Sequence, residues 1–493
     1  MQLAGAARLF AIPFLIAGAV GSSSGGGEPG AVVALPFEVQ YTTNHALHAR
    51  DTADVELENS YVRYGQFLVN ISIGNPPQPI TVKIDTATAD SWFFGKGSCN
   101  ESRVDCLGGE FDPSASSSFT KLGYPNFHIE YVSPKDTEVD GVYFADDLRI
   151  GDRLSLKNVT MIEATKTQAL TRAIMGIGFS NDSTLAQEGQ WYPTVMDEML
   201  SQGKIGRRAY GLYMGSKDAT TGTILFGGYD KAKIEGDLAT FPIVSGNNDF
   251  VVDLLSVGMT NSSGTYSFGD SGGNPSAEFP TTALIDAGAS FLKLPPDAYA
   301  AFISGLGGAV DSSGYVDCNF GKSGSLNFVF GNSTVSTEIQ VPLYDLAVPY
   351  MYTDGTYKLD SNGNKMCMLG VEESSKSSKH SIGDTFLRSA YVVFDMDERQ
   401  VSIAKLKHDA SGSEIVELGA DGKSTKIPTS TSSASPTSTP TAMTTAAAPT
   451  ATTGGASSTA PNGASQTSPN AAPILSPVTN VLGAVFLMVL FSI

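Results

Sequence analysis

Histidine, cysteine and tryptophan are all scarce in this chain, and each shortage removes a class of chemistry. Five histidines in 493 residues, none in a His-Glu-X-X-His pattern, and four cysteines better used as disulfides supply no metal site and imply no cofactor. No Gly-X-Ser-X-Gly segment lies between a strand and a helix, so a serine nucleophile with a histidine base has no support. Only two tryptophans, Trp92 and Trp191, are available as sugar platforms, which weighs against a glycosidase built on two carboxylates. Basic residues are outnumbered, 31 against 50 acidic, for a net charge of −19, and they form no stripe; a nucleic-acid surface is excluded. An acidic surface sheds its repulsion as carboxyls protonate, which suits work at acid pH.

What is present begins with the two ends. Arg8, an apolar stretch from Leu9 to Val20 and the small residues after it read as a secretory signal over 1–21, too short to span a bilayer comfortably. Residues 22–50 read as a short pro-segment ending at Arg50. Sequons at Asn70, Asn100, Asn158, Asn181, Asn261 and Asn332 fit a secreted glycoprotein. In that compartment the cysteines pair by proximity as Cys99 with Cys106 and Cys318 with Cys367, although four cysteines allow three connectivities. Residues 407–470 read as a Ser/Thr/Pro-rich, O-glycosylated stalk. Small residues at Asn470, Ala471 and Ala472, a spacer to Asn480 and an apolar tail from Val481 to Phe491 form the three parts of a GPI-attachment signal. Attachment at Asn470 would remove 471–493; the alternative is a short membrane span.

Between the ends, short β-branched runs alternate with Gly and Pro, as in "GQFLVNISIGNPPQPITVKID", and point to an all-β architecture. Two stretches carry helical spacing instead: "YPTVMDEMLSQGKI", with Val195, Met196, Met199 and Leu200 on one face, and "PDAYAAFISGLGG", with Tyr299, Phe302, Ile303 and Leu306. "ITVKIDTATADSWFFG" has a counterpart in "TTALIDAGASFLKLP": each runs apolar-Ile-Asp, then three small residues, then apolar again. Asp85 and Asp286 thus stand at equivalent points of a unit used twice. Each is followed at similar distance by a segment ending in glycine, Ile174-Met175-Gly176 and Ser381-Ile382-Gly383. Two similar β lobes, 51–239 and 240–406, would bring both aspartates to the seam, and clefts between lobes favour binding and chemistry.

Over about Tyr64 to Ala404 this pattern resembles the pepsin-like aspartic proteases, and within them the fungal GPI-anchored yapsin-like group. The resemblance implies a bilobal all-β fold with a few short helices and an endopeptidase active at acid pH, with Asp85 and Asp286 as the catalytic pair. It assigns Tyr131 to a flap over the substrate and counts Trp92, Thr86, Thr88 and Gly288 with it as substrate-binding or flap residues. Substrates would be peptides or proteins, handled by a monomer held at the plasma membrane or cell wall by its GPI anchor, or released. Two carboxyls held close share one proton, so one can deprotonate a water while the other donates to the scissile carbonyl.

The chain departs from the family in both loops. Asp85-Thr86-Ala87-Thr88 has alanine where the family has glycine, and Asp286-Ala287-Gly288-Ala289 lacks the hydroxyls expected at 287 and 289. In the family the hydroxyls at the positions of Thr86 and Ala287 cross the seam and lock the loops; losing one set of bonds costs about 1 to 3 kcal/mol if its partners stay dry. Without a hydroxyl at 289, Asp286 is expected to give up its proton less readily. The flap reads Tyr131-Val132-Ser133-Pro134-Lys135, with acidic Asp136, Glu138 and Asp140 following. The other reading of the alanines is a weak or inactive pseudoprotease that serves as a cell-surface binding protein.

Overall fold

A computed structural model describes residues 33–40 and 66–419, apart from 99–105, 132–136, 152–153, 269–277, 353–355, 375–379 and the single positions 169, 218, 220, 333 and 351. The signal, Arg50, Cys99, Asn100, Lys135, Asp136, Asn470 and the apolar tail lie outside the described residues.

Strands carry the chain, as the alternating pattern requires. Gln66–Ile73 and Gln78–Asp85 form an antiparallel hairpin in which Ile73 stands opposite Gln78. Gly74 opens its turn at φ +90, a conformation that strains any L side chain. The largest sheet passes from Ile234–Pro242 through Gln400–Leu406, Ala390–Asp395, Ala209–Tyr213, Thr221–Phe226 and Val33–Gln40 to Gln66–Ile73 and Gln78–Asp85. It continues through Ile174–Gly176, Trp92–Phe94 and Leu154–Gln168 to Thr137–Ile150. A second sheet orders Ser336–Pro342, Ser325–Gly331, Val251–Asn261, Thr281–Ile285 and His380–Ile382. Val33–Gln40, within the segment expected as pro-segment, is a full member of the large sheet, antiparallel to both Gln66–Ile73 and Thr221–Phe226.

The internal repeat is built as the sequence pattern implied. In the first copy Gln78–Asp85 pairs in parallel with Ile174–Gly176, with Asp85 opposite Gly176. In the second, Thr281–Ile285 pairs in parallel with His380–Ile382, with Ile285 opposite Ile382. Mostly-β architecture and this duplicated unit are those of a bilobal aspartic-protease fold.

The two helical stretches form helices at Val195–Ser201 and Pro296–Gly305. Thr194 and Asp197 close a capping box on the first, and Val195, Met196 and Met199 are buried beneath it. Cys318 is bonded to Cys367, as proximity suggested, and Cys106 is disulfide-bonded, its expected partner lying outside the described residues. Asn70, Asn158, Asn181 and Asn332 are exposed and Asn261 is half-buried. One boundary moves: the stalk does not begin at 407. Ile415–Glu417 pairs antiparallel with Gly228–Asp230 in a two-stranded sheet, because Val416 and Leu418 pack against the cluster around Tyr229 while Ile415 stays exposed.

Candidate active site

Asp85 ends a strand in which Ile80, Val82, Lys83 and Ile84 are all buried, so the chain delivers its carboxyl into the interior. Asp286 follows the equivalent strand Thr281–Ile285. The two loops meet. A Cβ added to Gly288 would lie 2.5 Å from both carboxylate oxygens of Asp85, so glycine is obligatory where the second loop packs on the first aspartate. The mirrored position in the first loop, Ala87, is half-buried and already carries a methyl group.

Each aspartate is aimed by its own loop. The Ala87 amide donates to Asp85 Oδ1 at 2.8 Å, and the Gly288 amide donates to Asp286 Oδ1 at 2.7 Å. Thr86 performs the expected crossing: its hydroxyl donates to the Ile285 carbonyl at 3.2 Å and accepts from the Ala287 amide at 3.0 Å. Thr88 Oγ1 accepts from the Asp90 amide at 3.2 Å, within its own loop. Behind the loops, Gly176 and Gly383 explain the apolar-apolar-Gly segments. A Cβ on Gly176 would come within 2.6 to 2.8 Å of the backbone of Thr88, Ala89 and Asp90, and one on Gly383 would fall on the carbonyls of Ala289 and Phe291.

Burial pushes Asp85 up to about 7 from the ordinary 3.8; the neighbouring negative charge of Asp286 adds to this, and the Lys83 ammonium and the Ala87 amide oppose it. Ser381 supplies what Ala289 lacks: its hydroxyl donates to Asp286 Oδ2 at 2.9 Å. In the sequence it stands where the first copy has the apolar Ile174, and its polarity was the available signal.

Three further residues escaped the sequence reading. Lys83, interrupting the apolar run of "ITVKID", is fully buried, and its ammonium donates to the Gly288 carbonyl across the seam. Asp384, directly after Gly383, is buried, and burial pushes its carboxyl well above the usual carboxylate range. Arg388, also buried, stacks its guanidinium on the Phe67 ring at 4.9 Å and donates to the Ser216 carbonyl at 3.3 Å.

The flap arises from the hairpin of Phe127–Tyr131 with Thr137–Ile150, in which Tyr131 stands opposite Thr137. Tyr131 Oη accepts from the indole Nε1 of Trp92 at 2.8 Å, which fixes both partners. Trp92 is 1 % exposed and belongs to the core beneath the flap. The acids at the base of the flap are already engaged: Glu138 pairs with Lys166 at 2.7 Å, and Asp140 with His128 at 2.7 Å.

Comparison with known proteins covers the same part of the chain. The family model described as eukaryotic aspartyl protease matches residues 66–406. The probable aspartic-type endopeptidase opsB of Aspergillus fumigatus is 30 % identical over 381 residues, 74 % of this chain and 74 % of that protein. Secreted aspartic protease 3 of Candida albicans is 31 % identical over 377 residues, 73 % of this chain and 83 % of that protein. A match over most of the chain joins a duplicated strand-Asp-loop unit whose two copies meet at one seam, and the chain belongs to the eukaryotic aspartyl proteases, as a pepsin-like aspartic endopeptidase acting on peptide bonds.

Proposed function

We propose that the protein is a secreted, GPI-anchored endopeptidase of the yapsin-like kind, which cuts peptide bonds with water activated between Asp85 and Asp286. The observation that carries the reading is the packing of the Gly288 backbone on the Asp85 carboxyl, joined to the Thr86 crossing: both aspartates sit at one seam despite the alanines. Asp85, pushed up to about 7, holds the proton at acid pH and donates it to the scissile carbonyl. Asp286, held by the Gly288 amide and the Ser381 hydroxyl, takes the proton of the attacking water. Water adds to the carbonyl carbon, and the resulting tetrahedral intermediate breaks as Asp286 passes the proton it took to the leaving nitrogen and Asp85 recovers one from an intermediate hydroxyl. No covalent bond to the protein forms at any stage. The substrate lies beneath the Tyr131 hairpin.

Secretion is supported by the signal-like start, the exposed sequons and the relatives named as secreted. The anchor rests on the Ser/Thr/Pro-rich stalk and the small-spacer-apolar order of the tail. The protein works as a monomer at the plasma membrane or cell wall, with a lobe boundary near 239 and the pro-segment removed near Arg50.

The test is cleavage of a denatured protein by the full chain from a secretory host, between pH 3 and 7. Asp85→Asn and Asp286→Asn should each lower kcat/KM by roughly 10³-fold or more while leaving the fold intact. Cleavage in the wild type should be blocked by pepstatin. A folded wild type inert at every pH, with cleavage appearing in the Ala87→Gly, Ala287→Thr double variant, would make the chain a binding pseudoprotease. Phosphatidylinositol-specific phospholipase should release the protein from membranes; retention of the full-length chain with its tail would make the tail a span.

A further inference from the structure

Lys83 is fully buried, a costly place for an ammonium, and nothing in the strand demands it. It lies two residues before Asp85 on the same strand, hence on the same face, opposite Leu68 on one side and Ile174 on the other. An aliphatic residue would satisfy such a position. Its counterpart in the second copy, two residues before Asp286, is Leu284, buried and apolar. Burying an ammonium is unfavourable unless charge and hydrogen bonds compensate, so this substitution within a duplicated unit needs a counterpart elsewhere.

The counterpart is across the seam. Lys83 Nζ donates to the carbonyl of Gly288, the residue packed on Asp85. It is the first lobe's second hold on that loop; the other is Thr86, bonded to Ile285 and Ala287. By the pseudo-twofold relation, a hydroxyl at 287 would reach back to the first loop as Thr86 reaches forward, but residue 287 is alanine, fully buried. We propose that Lys83 is a positioning residue that locks the second catalytic loop to the first lobe in place of the hydroxyl that Ala287 lacks.

The charges around the ammonium come from three directions: Asp85 on its own strand, Asp286 on the loop it holds, and Asp384 behind that loop. Arg388 lies beyond Asp384 and shares its field. Both Asp384 oxygens are buried with no hydrogen-bond partner among the described residues; burial raises the carboxyl, and the Lys83 and Arg388 cations oppose that rise. Burial pushes Lys83 below the ordinary lysine range, and the ionised forms of Asp85, Asp384 and Asp286 oppose that shift. A cation beside Asp85 favours loss of the Asp85 proton, so removing it should let Asp85 keep that proton to higher pH.

This inference rests on Asp85 and Asp286 being the working pair, and its test separates the two. In the full chain, Lys83→Met should lower kcat/KM at the optimum at least tenfold and move the alkaline limb of the pH profile upward. Ala287→Thr should raise activity at least tenfold more in the Lys83→Met background than in the natural one, a rescue that a merely structural lysine would not show. Lys83→Gln, which keeps a donor and removes the charge, should retain more activity than Lys83→Met yet show the same displaced limb. Equal effects of Ala287→Thr in both backgrounds, or a Lys83→Met enzyme within threefold of wild type with an unmoved profile, would overturn the lock. Should Lys83→Met not fold, Lys83→Gln carries the test: an unmoved profile overturns the inference. A wild type inert at every pH defeats the proposed dyad instead. The lock is then judged by thermal unfolding of the same variants, where additivity of the 83 and 287 substitutions overturns it and a smaller combined loss supports it.

Discussion

The two aspartate loops share a backbone plan and differ in which side reaches across. The first loop and its strand supply the crossing side chains, the Thr86 hydroxyl and the Lys83 ammonium; the second answers with main-chain groups, the Ile285 and Gly288 carbonyls and the Ala287 amide. Main-chain geometry survives in both copies because the parallel pairing and the glycine behind each loop hold it: Gly176 against the first, Gly383 against the second. Side-chain chemistry is free to diverge as long as the sum of bonds over the seam is kept. A duplicated site can therefore lose symmetry without losing its frame, and the place to look for compensation is the other copy.

The sharpest way to break the comparison is to exchange the residues after Thr86 and Ala287. Gly288→Ala places a methyl group 2.5 Å from both Asp85 oxygens, so the carboxyl or the loop must shift. Activity should fall by roughly 100-fold or more, since displacement of a reacting group by about 1 Å is enough for that. Steady-state cleavage at the optimum, with near-ultraviolet circular dichroism to verify folding, measures it.

The sequence displays the frame better than the bonds. Asp85 and Asp286, the apolar-apolar-Gly segments and both longer helices follow spacing rules that backbone packing enforces, so they are legible one residue at a time. Lys83 is not: a lysine in a strand ordinarily marks the solvent face, and only a sheet covered on both sides puts it in the interior. Ser381 passes for a near-equivalent of an apolar residue until its hydroxyl is seen on Asp286. Residues 407–419 look like the beginning of the stalk because their few apolar members are isolated in sequence, yet Ile415–Glu417 pairs with Gly228–Asp230. The sequence cannot say what the flap acids face; Glu138 and Asp140 are paired with Lys166 and His128. Each of these depends on a partner far away in the chain, which no local pattern encodes.

A second asymmetry concerns protons. Burial raises Asp85 to about 7 and also raises Asp90, Asp384 and Asp395, so all four bind a proton more tightly in the folded chain than in the unfolded one. The sign follows from linkage: their stabilisation is complete below the unfolded value near 3.8 and is lost as pH rises through the folded value, which for Asp85 is about 7. The folded protein should accordingly lose thermal stability between about pH 4 and pH 7, with Tm falling by roughly 3 to 10 °C. Asp85→Asn should flatten that slope, since its amide has no proton to lose. A Tm that rises over this interval would contradict the burial assigned to these carboxyls.

Ser381→Ala removes the one side-chain hydroxyl on Asp286 and leaves the Gly288 amide in place. A hydrogen bond to a charged group contributes about 1.5 to 3 kcal/mol, so kcat/KM should fall by roughly tenfold to a hundredfold. Asp85 offers the control. It takes its bond from the Ala87 main chain, and no hydroxyl substitution on its side should reproduce that loss. Cleavage profiles of Ser381→Ala and Thr88→Ala, measured side by side, decide the point.

The smallest effect belongs to Ala87→Gly, although the family pattern makes it the most conspicuous departure. The methyl group that cannot be tolerated at 288 is accepted at 87, where the residue is half-buried and its amide still reaches Asp85 Oδ1 at 2.8 Å. Replacing it with glycine returns no hydrogen bond, because the amide donor is present in both. It does enlarge the conformational freedom of the unfolded chain, which lowers stability by about 0.5 to 1 kcal/mol where the native dihedrals suit alanine. Tm should therefore fall by a degree or two, and kcat/KM should move by no more than about threefold in either direction. Reading both variants in one assay measures the asymmetry itself: adding a methyl at 288 should matter at least thirty times more than removing one at 87. A gain of tenfold or more from Ala87→Gly would mean that the first loop is held away from its working geometry by that methyl, and that the two loops are less alike in backbone than their matched amide bonds indicate.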